Sequence, residues 1–266
     1  MTNNLKLIFY LDYNKFTYSI FNTLNNCFEK ITTHKINANN LNLANQIQHI
    51  IETSSDFNKE DFQTLGAIDI NSSTLIPDLF FDEKELNNYI GVVKEREKDS
   101  NCLYTKQQFL NCYSVFTIQK NLEKILFQKF KQLTLKNFSS VFVDYTLSLS
   151  SKNQDEIFLG INYQKFHVTL IKNKELIFYN QFKFENVNDF LYHFLNCLHV
   201  LEINSKKIII KIITNIEKKH IIFNELREYI QILEFINRPD TFVYGDSIMK
   251  QEPHINQNIF SQLICE

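Results

Sequence analysis

One ten-residue stretch occurs twice, and its spacing limits the possible architectures more than any other feature of the chain. Residues 11–20 align without a gap on residues 161–170, so that Leu11-Asp12-Tyr13-Asn14-Lys15-Phe16 falls on Ile161-Asn162-Tyr163-Gln164-Lys165-Phe166. Tyr, Lys and Phe are identical in the two copies, and nearly every other pair keeps its polarity. Each copy reads as the end of one strand, a polar turn and the strand that returns. A hairpin repeated half a chain apart predicts a duplicated α/β unit. The expected halves are residues 1–150 and 151–266, with a functional cleft between them.

The flanking pattern agrees. Residues 5–11, 16–21 and 27–36 read as three strands joined by Asn-containing turns, and Asn39 and Asn40 offer helix N-caps. Leu43, Ile47, Ile50 and Ile51 then recur at helical spacing, and residues 62–70 read as a strand with Gly66 at a bulge or a close approach. The second half repeats this order. It has strands at 156–161, 166–171 and 176–184, then a helix from Asn186 with Asp189 three residues on, as in a capping box. The Ile-rich run 208–213 suits a strand covered on both faces. Between the two series, residues 111–117 read as a strand, 118–130 as a helix and 138–145 as another strand. Residues 94–101 read as a charged exposed loop, and 148–154 as the linker. After the Ile-rich run a helix is expected through Ile222, Leu226, Tyr229, Ile230 and Leu233, with a short strand at 241–244.

Composition excludes several classes. A 44% hydrophobic fraction with net charge −2 is too apolar and too neutral for disorder, and gives no electrostatic reason to expect nucleic acid. No apolar run approaches the roughly 20 residues of a membrane helix, and residues 1–11 lack the features of a secretory signal. The five cysteines form no CxxC pair, so a reducing cytoplasm is the expected compartment. With only four glycines, phosphate-cradling loops are scarce.

Two β-β-β-α-β-α-β halves around a central cleft resemble the actin-like ATPase superfamily, whose fold is a duplicated ribonuclease H-like unit. In that superfamily the first hairpin of each half binds phosphate, with an Asp, one residue, a Gly and a nearby hydroxyl. The resemblance makes Asp12, Asn14, Lys15, Asn162, Gln164 and Lys165 the cleft candidates. This chain departs from the pattern: Asn14 and Gln164 stand where Gly is expected, and Asn162 replaces the second acid. An amide supplies no charge for Mg²⁺ and no general base near neutral pH. No catalytic residue, metal site or resident cofactor is therefore assigned. ATP with Mg²⁺ stays open as the ligand of an alternative reading. A closer resemblance covers most of the chain. Thr74-Leu75-Ile76-Pro77-Asp78-Leu79-Phe80-Phe81-Asp82, Val115-Phe116-Thr117-Ile118 and Tyr179-Asn180-Gln181-Phe182 are similar to an uncharacterised bacterial family, domain of unknown function 3822. That resemblance implies the same fold and no established activity.

Other groupings have plain readings beside the functional ones. His193 and Cys197, four apart and followed by His199, have the spacing of helical zinc ligands, but no second ligand pair accompanies them, and packing is expected. Asp78, Asp82, Glu83 and Glu85 either hold a cation or begin a helix, with Asp82 as its cap. Leu79, Phe80 and Phe81 either anchor a partner protein or fill the core. Three functions stay open on the sequence: a non-catalytic protein acting through protein contacts, a divergent ATPase or kinase using the cleft, and a small-molecule sensor.

Overall fold

The computed structural model describes residues 4–37, 43–58, 62–70, 72–93 and 99–266. The chain begins with an antiparallel meander of β1 (Leu5–Leu11), β2 (Lys15–Asn22) and β3 (Cys27–Lys35). Helix α1 (Leu43–Thr53) then carries it to β4 (Gln63–Ile68), parallel to β1. An inserted sheet follows: β5 (Ser73–Pro77), α2 (Leu86–Val93), β6 (Ser100–Lys106) and β7 (Cys112–Gln119), with strand order β5-β7-β6. Helix α3 (Lys120–Lys129) returns to the first sheet, where β8 (Gln132–Asn137) pairs parallel to β4. Helix α4 (Phe138–Leu149) closes the first series.

The second series repeats the first without the insertion. It consists of β9 (Asp155–Asn162), β10 (Lys165–Lys172), β11 (Glu175–Lys183), α5 (Val187–Val200), β12 (Ile209–Thr214), α6 (Ile221–Arg227) and β13 (Ile232–Phe235). Its sheet runs β11-β10-β9-β12-β13, matching β3-β2-β1-β4-β8 of the first strand for strand. A tail follows, made of β14 (Val243–Tyr244), α7 (Asp246–Met249) and α8 (Gln257–Ile264). Strand β14 pairs with β3, so the tail completes the edge of the first sheet.

Three cores stack between these layers. One lies between the first sheet and α1 with α3, and another between the second sheet and α5 with α6. The third is central: Ile8, Tyr10 and Ala67 of the first sheet meet Phe158, Ile171 and Ile213 of the second across α4 and α8. Both sheets are thus covered on both faces, which explains why Leu7 to Leu11 are buried without alternation.

The central layer explains the main disagreement with the sequence reading. Residues 138–145 are helical, not extended, and the strand is residues 132–137 just before them. Every residue from Phe138 to Leu147 is buried, so α4 shows no amphipathic stripe and carries the β-branched and aromatic content of a strand. Its start is nevertheless marked, because the Asn137 side chain accepts the Ser139 N–H. The reading at 222–233 is corrected too: α6 ends at Arg227, and Leu233 belongs to β13. The linker reading at 148–154 overlaps the last turn of α4. Within the expected loop, residues 94–98 lie outside the described residues, as do Asn39 and Asn40, whereas Ser100 and Asn101 open β6. At Gly66 the strand register is unbroken, and the Phe9 ring fills the space a Cβ would need, at 2.2 Å.

The tail is held by aromatic packing. Phe260 of α8 meets Phe28 of β3 and Tyr244 of β14 edge-on, with centroids 4.8 and 4.9 Å apart, and is fully buried. Phe260→Ala removes a ring that both of these strands pack on. The expected cost is about 3–5 kcal/mol in urea unfolding, with earlier proteolytic cleavage in residues 243–264.

Candidate functional site

The repeated hairpins place their turns side by side at the ends of β1 and β9. In the first turn the Asp12 Oδ1 accepts the backbone N–H groups of Asn14 and Lys15, both at 3.0 Å, and the Asp12 N–H donates to the Lys15 carbonyl. The carboxylate thereby closes its own turn as an Asx motif. Its other oxygen is buried without a hydrogen-bond partner, 3.9 Å from the Lys15 ammonium. Burial is the largest influence on Asp12 and raises its pKa to about 6, against the opposing pull of Lys15. Burial likewise lowers the Lys15 pKa.

The second turn is built differently. Tyr163 and Gln164 link β9 to β10, and Gln164 sits at φ 55°, a left-handed conformation that favours glycine. The flanking residues point inward: Asn162 and Lys165 are both buried. They converge on a residue the sequence reading passed over, Asp69, which follows β4 and is fixed by its N–H to the Leu11 carbonyl at 2.8 Å.

The Asp69 carboxylate is 1% exposed and receives four side chains. The Lys165 ammonium lies 2.8 Å from it, the Asn162 amide 3.0 Å, the Tyr10 hydroxyl 3.0 Å and the His167 Nε2 3.1 Å. Tyr10 comes from the first sheet and the other three from the second. Burial pushes the Asp69 pKa up, but Lys165 and His167 outweigh it and hold the carboxyl well below its ordinary range. Burial lowers the His167 pKa, against the opposing pull of Asp69. The ionised carboxylate can only accept, so Nε2–H donates to Asp69, and Nδ1 lies 3.0 Å from the Tyr179 oxygen. The opposite charges here are matched within the protein, Lys165 with Asp69 and Lys15 with Asp12. The turn N–H groups of the first hairpin are occupied by a side chain.

Of the expected cleft residues, Asn162 and Lys165 meet at one point, while Asp12, Asn14 and Lys15 form a separate turn close by. Asp69, His167, Tyr10 and Tyr179 are additional members. A carboxylate ending the apolar strand 62–68 and a histidine inside the apolar run 166–171 were the signals available for two of them. An open groove of about 490 Å³ adjoins both turns and is lined by Tyr13, Gln164 and Lys183 among others, with the Lys183 ammonium 5.1 Å from the Tyr13 ring centre.

The remaining candidates lie elsewhere. Leu79 and Phe80 form an exposed turn on the inserted sheet, 86% and 68% accessible, whereas Phe81 is half-buried and stacks on Tyr113 at 3.9 Å. Asp82 caps the turn before α2 by accepting the Lys84 N–H. His193 bonds to Asp189 one turn back at 3.2 Å, and Cys197 is buried. Among the described residues no cluster of three metal-ligating side chains occurs.

Two outcomes test this geometry. Lys165→Ala leaves Asp69 buried without its cation and is expected to cost about 3–5 kcal/mol in urea unfolding. The Asp69→Asn, Lys165→Met pair, which removes both charges, should cost much less. Asp12 acts in the opposite pH sense to Asp69. Its folded pKa lies above the ordinary value of 3.8, so its contribution is full below that value and is lost as pH rises through about 6. Asp12→Asn keeps an oxygen for both turn N–H groups. It should match the parent at pH 4 and exceed it at pH 8 by on the order of 2 kcal/mol, measured by urea unfolding at each pH.

The chain is similar to several solved structures. A Bacteroides thetaiotaomicron protein with an actin-like ATPase fold and unknown function superposes with TM-score 0.81 at 17% identity, over 99% of this chain and 96% of that one. PilM, in the PilM–PilN type IV pilus biogenesis complex, gives 0.60 at 9% identity, over 98% of both chains. The ethanolamine utilization protein EutJ from Carboxydothermus hydrogenoformans gives 0.52 at 8%, over 99% of this chain and 91% of that one. A search of the curated proteins found no match. The fold is actin-like, as the repeated hairpin led us to expect. Residues 1–233 match the model of a family described as a protein of unknown function, DUF3822, and the protein belongs to that family.

Proposed function

We propose that this is a non-catalytic member of the actin-like fold, a pseudo-ATPase that acts through contacts with a partner protein. The observation that carries the reading is that side chains of the protein occupy both hairpins: Asp12 closes the first turn, and Asp69 holds the Lys165 of the second. A Mg²⁺–nucleotide needs backbone N–H groups facing the phosphates, cations to offset them and a carboxylate for the metal's water shell. Here the N–H groups of Asn14 and Lys15 bond Asp12, and the Lys165 cation is held by Asp69. The side chains present do not fit phosphate and divalent metal without breaking those bonds. Each half, 1–150 and 151–266, is then a copy of one ancestral unit whose phosphate hairpin became a structural joint.

Partner binding accords with the exposed Leu79 and Phe80, and with PilM, a protein of this fold found in complex with PilN. A cytoplasmic setting fits five cysteines free of disulfides, and no helix among the described residues is long and apolar enough to cross a membrane. Nucleic acid is not expected as a partner at net charge −2.

The competing reading is a divergent ATPase or kinase, favoured by the unbonded Asp12 oxygen near Lys15. Calorimetric titration with ATP and ADP, with and without Mg²⁺, separates the two. No heat of binding is expected. Tight, Mg²⁺-dependent binding abolished by Asp12→Ala would overturn the proposal.

A further inference from the structure

Among the described residues, two strand edges without neighbouring strands lie beside each other. Strand β5 ends the inserted sheet and β11 ends the second sheet, and each makes its ladder bonds on one side only. They flank a groove of about 450 Å³ lined by residues 72–75 on one side and 176–181 on the other. The two sheets stand over the same support. Leu75, Leu176 and Tyr179 all pack on the central core that contains α4, and the Gln181 amide reaches the Ser73 hydroxyl at 3.3 Å. Ser73 in turn bonds Ser139 of α4 at 2.7 Å. The floor is therefore fixed, apolar at Leu75, Leu176 and Tyr179 and polar where Ser73 meets Gln181, and each wall is the outer side of a β-ladder.

Open edges invite pairing, and proteins ordinarily guard them with charge, proline or a covering segment. Along the groove the guard among the described residues is a bulge in β11. The described lining residues include no acidic or basic side chain, and Pro77 lies beyond them. The bulge, opposite Leu170 and Ile171, turns the extra residue, Ile177, outward, where it is 53% exposed against the groove.

We propose that this groove receives an extended, uncharged segment of a partner protein, which adds a strand between β5 and β11. The lining sets the chemistry of the occupant. Outward-facing backbone groups on both walls call for an extended main chain, which displaces the Asn180 side chain from the Gln181 N–H it holds at 2.8 Å, and Leu75, Leu176 and Tyr179 call for apolar side chains above them. The neutral lining disfavours a charged side chain, which would be buried without a counter-ion. A strand seated here bridges the inserted sheet to the second sheet, and so reports on the relative position of the two halves. The inference rests on the partner-binding reading and names the class of partner segment.

The test uses the full chain panned against a phage-displayed library of random eight-residue segments. The enriched peptide is synthesised and measured by fluorescence anisotropy and by hydrogen–deuterium exchange. Slower exchange is expected in residues 73–77 and 175–183 together. Backbone N-methylation at alternate peptide residues should weaken binding at least tenfold. So should Asn180→Lys and Thr74→Lys, which place a charge on one edge each, with melting temperature and circular dichroism unchanged. Failure to enrich any peptide, protection confined to other segments, or affinity insensitive to N-methylation would overturn the proposal. A dimer in sedimentation velocity that Asn180→Lys dissolves would assign the groove to a second copy of this chain and overturn it equally. The ATP titration decides the non-catalytic reading separately, so either result can fail alone.

Discussion

The junction of the two halves depends on how one buried carboxylate is satisfied. Asp69 stands where the first sheet meets the second, out of water, and an isolated carboxylate there would be costly. Lys165, His167 and Asn162 supply what water cannot, and all three come from the opposite sheet. Removing the second sheet would strand the charge, so the ionised form of Asp69 and the closed arrangement of the halves support each other. An apolar contact of equal area would hold the halves together but would tolerate sliding. The fork of donors on Asp69 has one register.

The central helices provide the remaining rigidity. Helix α4 is buried along most of its length between the sheets, and α8 lies beside it, so each sheet packs on one shared layer as well as on its own outer helices. Gly160 of β9 shows how close this packing is. A Cβ there would fall 2.5 Å from the Phe142 ring of α4. Motion between the halves in proteins of this layout needs slack in that layer, and the interlocking of Phe142 with the second sheet leaves little.

Much of the fold was legible in the sequence, and the failures have physical causes. The two hairpins, the amphipathic α1, α3 and α5, and the Ile-rich β12 carry periodicity because each element has one partner surface or two apolar ones of simple pattern. Helix α4 was misread because burial on every side erases that periodicity, leaving composition as a false guide. The site was half legible. Repetition drew attention to Asp12, Lys15, Asn162 and Lys165, but a repeat cannot point to residues outside itself. Asp69 has no counterpart in the repeated stretch, and His167 differs from its aligned residue, Thr17. Both were detectable only as polar residues in apolar strands, and what they bond to depends on a contact across almost one hundred residues.

The return of the tail to the first sheet has a consequence for biosynthesis. Strand β3 acquires its neighbour β14, and Phe28 its cover from Phe260, only after residues 243–264 have left the ribosome. Domains ordinarily fold as units during synthesis, the N-terminal one first. Here the first unit keeps an open edge and an uncovered aromatic cluster while the whole second unit is being made. The nascent chain must carry that exposed surface until residues 243–264 emerge, so the first sheet is completed only after the second has been made.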